Sequence, residues 1–131
     1  MLKTHRRYLG QHLFVDYYRC NGIHQSCAEF ERKLIHVIKK CGGTVVQSTF
    51  HQFSPYGVSG VVVIAESHVA LHTWPEKNIA CIDVFSCSQT LDLDRLAEGF
   101  AKIFQSQQYE KRYCHRGDLA LQEQIPLLME E

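Results

Sequence analysis

Ser59-Gly60-Val61-Val62-Val63-Ile64-Ala65-Glu66, followed at once by Ser67-His68-Val69-Ala70-Leu71-His72-Thr73-Trp74, decides how the chain is to be read. Apolar and β-branched residues dominate, so the stretch reads as two strands, Ser59 to Glu66 and Ser67 to Trp74. Gly60 to Ala65 is apolar at both alternating sets of positions, the pattern of a strand covered on both faces. Upstream, Ser54-Pro55-Tyr56-Gly57 is a turn that joins this pair to a β-branched run from Thr44 to Phe53, and downstream Ala80 to Ser86 is a further strand. A run of antiparallel strands is the economical arrangement.

Further out, Gly10 to Cys20 has β-rich composition and ends at the turn signal Asn21-Gly22. From Gln25 to Cys41 the apolar positions Cys27, Phe30, Leu34, Val37, Ile38 and Cys41 follow helical spacing. Ser26 with Glu29 three residues on suits the start of this helix, and Gly42-Gly43 ends it. Leu91, Leu93, Leu96, Phe100, Ile103 and Phe104 return to helical spacing after Thr90, a suitable cap, and Tyr109 to Cys114 suits a last strand. The tail from Gln122 to Glu131 reads as poorly anchored. The order is β-α-β-β-β-β-α-β in one domain, residues 1 to 131. That is an α+β fold, a two-layer α/β sandwich with a mainly antiparallel sheet and two helices on one face. Two helices cover only one face of the doubly apolar strand, so the other is expected to pack on a second protomer.

Composition narrows the partners. Lys plus Arg number 14 against 14 Asp plus Glu, so no net positive field gathers phosphates, and nucleic acid is not an expected partner. The six cysteines are scattered without a Cys-x-x-Cys pair and no secretory leader is evident, which points to reduced thiols and a cytoplasmic location. The longest apolar run, Val61 to Ala65, falls far short of the roughly 20 residues of a membrane-spanning helix.

The polar residues that interrupt the apolar pair call for a chemical explanation. His68 and His72 have the spacing of two metal ligands on a helix, but four residues along a strand span ~13 Å, and His-Glu-x-x-His is absent. No metal site is expected. A serine hydrolase would need a Gly-x-Ser-x-Gly elbow, which Ser67 lacks. A third possibility is self-processing. A serine at a strained turn attacks the preceding carbonyl, here that of Glu66, and turns the amide into an ester. Loss of the serine α-proton then expels the upstream chain, and the dehydroalanine left behind hydrolyses to a pyruvoyl group.

Taken together, Phe-Ser-Pro-Tyr-Gly-Val-Ser-Gly (53 to 60), Glu-Ser-His (66 to 68), His-Thr-Trp-Pro-Glu (72 to 76) and Asp-Val-Phe-Ser-Cys (83 to 87) resemble the short bacterial and archaeal S-adenosylmethionine decarboxylase proenzymes. Gly10 to Leu13 and Ser48 to His51 fit the same pattern, so the resemblance runs over roughly residues 9 to 116. It implies cleavage between Glu66 and Ser67, giving a β chain of residues 1 to 66 and an α chain of residues 67 to 131 that begins with pyruvoyl. This cofactor, made from Ser67, forms a Schiff base with the substrate amine and acts as the electron sink for decarboxylation. In the roles the family implies, His72 takes the Ser67 α-proton with help from the Ser59 hydroxyl, and Cys87 returns a proton to the substrate α-carbon. An imidazole with a pKa near about 6.5 and a thiol near about 8.5 suit those tasks. Phe53 and Trp74 would face the adenine or the sulfonium and Glu76 the ribose. A homodimer and the supply of an aminopropyl donor for spermidine synthesis are also implied. His12, His51 and His68 read as structural. Two alternatives stand beside this reading: a decarboxylase of ornithine or arginine on the same scaffold, or an uncleaved, non-catalytic partner subunit.

Overall fold

A computed structural model describes residues 6–126. The chain runs β1 (Tyr8–Tyr18), α1 (Cys27–Lys40), β2 (Val45–Gln52), β3 (Val58–Ile64), β4 (Ser67–Trp74), a 3₁₀ turn (Pro75–Lys77), β5 (Ile79–Ser86), α2 (Leu93–Phe104), β6 (Gln108–Asp118) and α3 (Leu119–Gln124). The six strands form one sheet in the order β2-β3-β4-β5-β1-β6, every neighbouring pair antiparallel.

Alternation along the strands sets the two faces. Leu13, Val15 and Tyr17 of β1, Val62 of β3, Val69 and Leu71 of β4, and Ile82 and Val84 of β5 are fully buried, as are Phe30, Leu34 and Ile38 of α1 and Leu96, Phe100 and Phe104 of α2. The Tyr17 ring packs on Phe104, and its hydroxyl donates to the Ala97 carbonyl of α2 at 2.8 Å, which identifies this as the helix-covered side. Each large side chain so buried contributes about 1.5–3 kcal/mol. The core is therefore one continuous layer between sheet and helices. No helix among the described residues covers the opposite face, which includes Val61, Val63, Ala70 and Phe85, and Val61 is 36% exposed.

At Gly60 the sheet depends on a missing side chain. A Cβ there would come within 2.2 Å of the Phe50 ring, which lies across from it on β2. Gly60→Ala should therefore destabilise the fold by about 1–3 kcal/mol, the usual range for overpacking, measured as a shift of the urea or thermal midpoint. An unchanged midpoint would mean that Phe50 is free to swing away.

Helix α1 starts as its sequence predicts. The Ser26 side chain accepts from the Glu29 backbone N–H while Glu29 reaches back to the Ser26 N–H. Helix α2 differs in its start. Its cap is Asp92, whose carboxylate accepts from the Arg95 N–H at 3.1 Å, and not Thr90, whose hydroxyl is occupied with Ser88 at 3.1 Å. Starting at Leu93 directs Leu96, Ala97, Phe100 and Phe104 into the core together. Strand β6 runs on to Asp118, past the expected Cys114, because β1 begins at Tyr8 and continues to offer it a partner. Asp118 then caps α3 and pairs with Arg7 at 3.1 Å. Gln122 to Gln124 of the expected loose tail lie in this exposed short helix, and residues 127–131 lie outside the described residues. No helix among the described residues is long and apolar enough to cross a membrane.

Candidate active site

Ser67 is the first residue of β4, directly after the Ala65-Glu66 turn of the β3–β4 hairpin. Its φ is +148°, a conformation that non-glycine residues adopt only under strain and that concentrates at functional sites. The peptide bond before it is held at several points. The Glu66 carbonyl accepts from the Cys87 backbone N–H at 3.0 Å and from the Cys87 thiol at 3.3 Å. The Glu66 carboxylate accepts from the Thr44 N–H at 3.1 Å, and the Ala65 N–H donates to the Thr44 carbonyl at 2.8 Å. Two donors on one carbonyl oxygen are what an oxygen needs if it is to take on negative charge while a nucleophile adds to its carbon.

A second group sits at the other end of the same hairpin. Ser59 of β3 and His72 of β4 are direct cross-strand partners on the open face, with Ser59 Oγ 3.1 Å from His72 Nδ1. Trp74 follows on the same face, its ring centroid 6.3 Å from that of His72. Phe53, just past the end of β2, meets His51 edge-on at 4.5 Å. Phe53 and Trp74 are 47% and 43% exposed, so both rings are available to a ligand, and Glu76 stands exposed in the 3₁₀ turn after Trp74. Cys81 lies opposite His72 on β5. Burial, a hydrogen bond with Asp16 and the charges of Asp16 and Asp83 push its thiol up to about 12, so it stays protonated.

The structure thus brings Ser67, Glu66 and Cys87 together, and separately Ser59, His72 and Trp74, with Phe53 beside His51 across from Ser59 and Glu76 in the turn after Trp74. It does not unite the two groups within one chain. His72 is five residues along β4 from Ser67, roughly 17 Å at the usual strand rise. His68 and His12 lie on the open face near the Ser67 end, around the Phe85 ring. Burial holds the His12 imidazole below its usual range, and Arg116 lies 3.3 Å from its Nδ1.

The sequence profile of the S-adenosylmethionine decarboxylase family matches residues 11–117. The chain belongs to that family. It is 38% identical over 126 residues to the S-adenosylmethionine decarboxylase proenzyme of Thermosipho melanesiensis, covering 93% of this chain and 97% of that one. The proenzyme of Acidithiobacillus ferrooxidans is 37% identical over 114 residues, 86% of each chain. A crystal structure of the adenosylmethionine decarboxylase from Aquifex aeolicus superposes with a TM-score of 0.77 at 30% identity, covering 87% of this chain and 95% of that one. Family and fold together make the chain an S-adenosylmethionine decarboxylase of the α+β sandwich type.

Two contributors to this candidate site were not singled out in the sequence: the backbone N–H of Cys87, and Thr44, whose N–H and carbonyl pin the hairpin turn. Main-chain groups leave no mark on residue identity. Only the pairing of β2, β3, β4 and β5 brings them to Glu66.

Proposed function

We propose that the chain cuts itself between Glu66 and Ser67 and, with the pyruvoyl group so formed, decarboxylates S-adenosylmethionine to the aminopropyl donor for spermidine synthesis. The observation that carries this reading is the strained Ser67 directly after a carbonyl held by both the N–H and the thiol of Cys87. The Ser67 hydroxyl adds to the Glu66 carbonyl carbon, and the two Cys87 donors stabilise the negative oxygen as the amide becomes an ester. Relief of the Ser67 backbone helps this shift. Removal of the Ser67 α-proton then releases Glu66 as a carboxylate, and hydrolysis with loss of ammonia completes the new terminus. These surroundings fit a pyruvoyl group, which supplies an electron-withdrawing carbonyl to the α-carbon from which carbon dioxide leaves. Once the Glu66 carbonyl has gone, the Cys87 thiol is free to protonate that α-carbon.

The α-proton needs a base, and His72, oriented by Ser59, is the one this fold prepares. In its own chain it is roughly 17 Å away. A second protomer removes the difficulty. Two sheets packed by their open faces about a two-fold axis across β4 set the Ser67 end of one over the His72 end of the other, and bury Val61, Val63, Ala70 and Phe85. Each site is then built from two protomers. Ser67, Glu66 and Cys87 come from one, and Ser59, His72, the Phe53 and Trp74 faces for adenine or sulfonium and the Glu76 carboxylate for ribose come from its partner. The free thiols agree with a cytoplasmic enzyme.

The test is a mass spectrum of freshly purified protein. Two fragments are expected, residues 1–66 and residues 67–131 with a blocked terminus, and one intact 15.1 kDa species in an active preparation would end the proposal. Carbon dioxide release from S-adenosylmethionine, ornithine and arginine side by side distinguishes the substrates, with release from the first alone expected. The placement of Cys87 also has a kinetic signature. Cys87→Ala keeps the backbone donor but loses the thiol, so cleavage should slow by roughly tenfold, less than the roughly 10²–10³ of a full oxyanion donor, and turnover of the cleaved enzyme should fall further. Cleavage at the unaltered rate would remove the thiol from the processing step.

A further inference from the structure

The outer surface of the helix layer carries a charge pattern that decarboxylation does not use. Phe30 near the start of α1 packs on Phe104 at the end of α2, and Cys41 just past α1 shares a groove with Arg95 near the start of α2, so the helices run antiparallel. They approach closely at Gly99, where a Cβ would come within 2.6 Å of Val37. The groove between them has a volume of about 480 Å³, within the range of small-molecule sites. Arg32, Lys33, His36 and Lys40 line one wall and Arg95 and Lys102 the other, with Glu98 the one carboxylate.

Among the described residues these cations have no ion-pair partner. The ion pairs among the described residues are Arg7 with Asp118, Lys111 with Asp94 and Arg112 with Asp16, and none of them uses a groove residue. The other acids of the two helices are committed elsewhere. Glu29 closes the cap of α1, Glu31 accepts from the Ser48 hydroxyl, Asp92 caps α2, and Asp94 takes Lys111 and Tyr113. A chain balanced at 14 charges of each sign therefore gathers Arg32, Lys33, Lys40, Arg95 and Lys102 along one cleft against the single carboxylate of Glu98. Such a cleft focuses field and draws anions.

The lining defines the ligand. No Phe, Tyr or Trp lines the groove, so the small His36 imidazole is the one ring there that a base could meet. Guanidinium forks and ammonium groups suit phosphate oxygens. From Arg32 to Lys40 the row extends ~12 Å along the helix, enough for several linked phosphates. We propose that the cleft between α1 and α2 binds a linear oligophosphate, free or as the tail of a nucleotide, on the side of the molecule away from the open face of the sheet.

Calorimetric titration of the full protein with inorganic triphosphate tests this. Saturable binding is expected at about 20 mM salt, weakening at least about tenfold by about 300 mM as the field is screened. The double variant Arg32→Glu, Lys102→Glu should lose at least about tenfold in affinity with normal decarboxylation, while Lys111→Glu, Arg112→Glu, with the same change of net charge on β6, should bind as before. Adenosine triphosphate should bind about as well as inorganic triphosphate, since no Phe, Tyr or Trp stands there as a platform for the base. Absence of binding, or equal loss in both double variants, would overturn the proposal. So would capture of double-stranded RNA more than about a hundredfold tighter than triphosphate, because the partner would then be a nucleic acid.

Discussion

Ser67→Ala should stay whole and inactive. The Cβ survives but the hydroxyl does not, so nothing attacks the Glu66 carbonyl, the chain runs as a single species of about full mass, and the electron-withdrawing group is never made. The expected loss of decarboxylation is complete, at least ~10⁶-fold, because the entire enzymic rate advantage depends on that group. Misfolding would not explain it. Ala takes the same volume at Cβ, so the thermal midpoint should stay within a few degrees of the parent, and the circular dichroism should be unchanged. A cleaved, active Ser67→Ala protein would overturn the self-processing reading outright.

Mixing two dead protomers should restore activity. Ser67→Ala lacks the nucleophile but keeps Ser59 and His72 at 3.1 Å, whereas His72→Ala keeps Ser67 and Cys87. If each site combines one end of β4 from each protomer, a mixed dimer has one site with both parts intact and one with neither. Random assortment on co-expression then gives about a quarter of the parent activity, since half the dimers are mixed and each has one working site. Each variant alone should be at background. Background activity in the mixture as well would mean that Ser67 and His72 of the same chain cooperate, which the strand distance opposes.

Much of this fold was legible in the sequence because its signals are local. The Ser26 and Glu29 pair marked the start of α1, and the 3.6-residue spacing marked both helices. Thr90 misled because both Thr and Asp cap helices, and the choice between Thr90 and Asp92 is made by which start turns Leu96 and Phe100 into the core. The doubly apolar β3 was readable, and no helix among the described residues covers its open side.

The division of the site into two groups was missed, although one signal for it was present. A two-residue hairpin turn at Ala65-Glu66 sets Ile64 opposite Ser67, and counting back along both strands then places Ser59 opposite His72 and far from the serine. Reading Glu66 as strand rather than turn hid that register. The contact of Cys87 with Glu66 had no comparable signal. The connection from β4 to β5 passes through the 3₁₀ turn at Pro75–Lys77, and only its folded geometry sets Ser86 beside Ser67 and Cys87 beside the carbonyl.

If the backbone is severed after Glu66 as proposed, the order in which the strands lie fixes when this can happen. The fragment ending at Glu66 carries β1, β2 and β3, and the fragment beginning at Ser67 carries β4, β5 and β6, yet across the sheet they alternate, with β4 and β5 inserted between β3 and β1, and β1 inserted between β5 and β6. Three of the five ladders join one fragment to the other. Neither piece holds all its strands in a contiguous sheet by itself, and the Cys87 donors to the Glu66 carbonyl come from the later piece. On the proposed cleavage, maturation is consequently a proofreading step, in which only a chain that has already interwoven its halves acquires chemistry, and the halves then stay together without a covalent link.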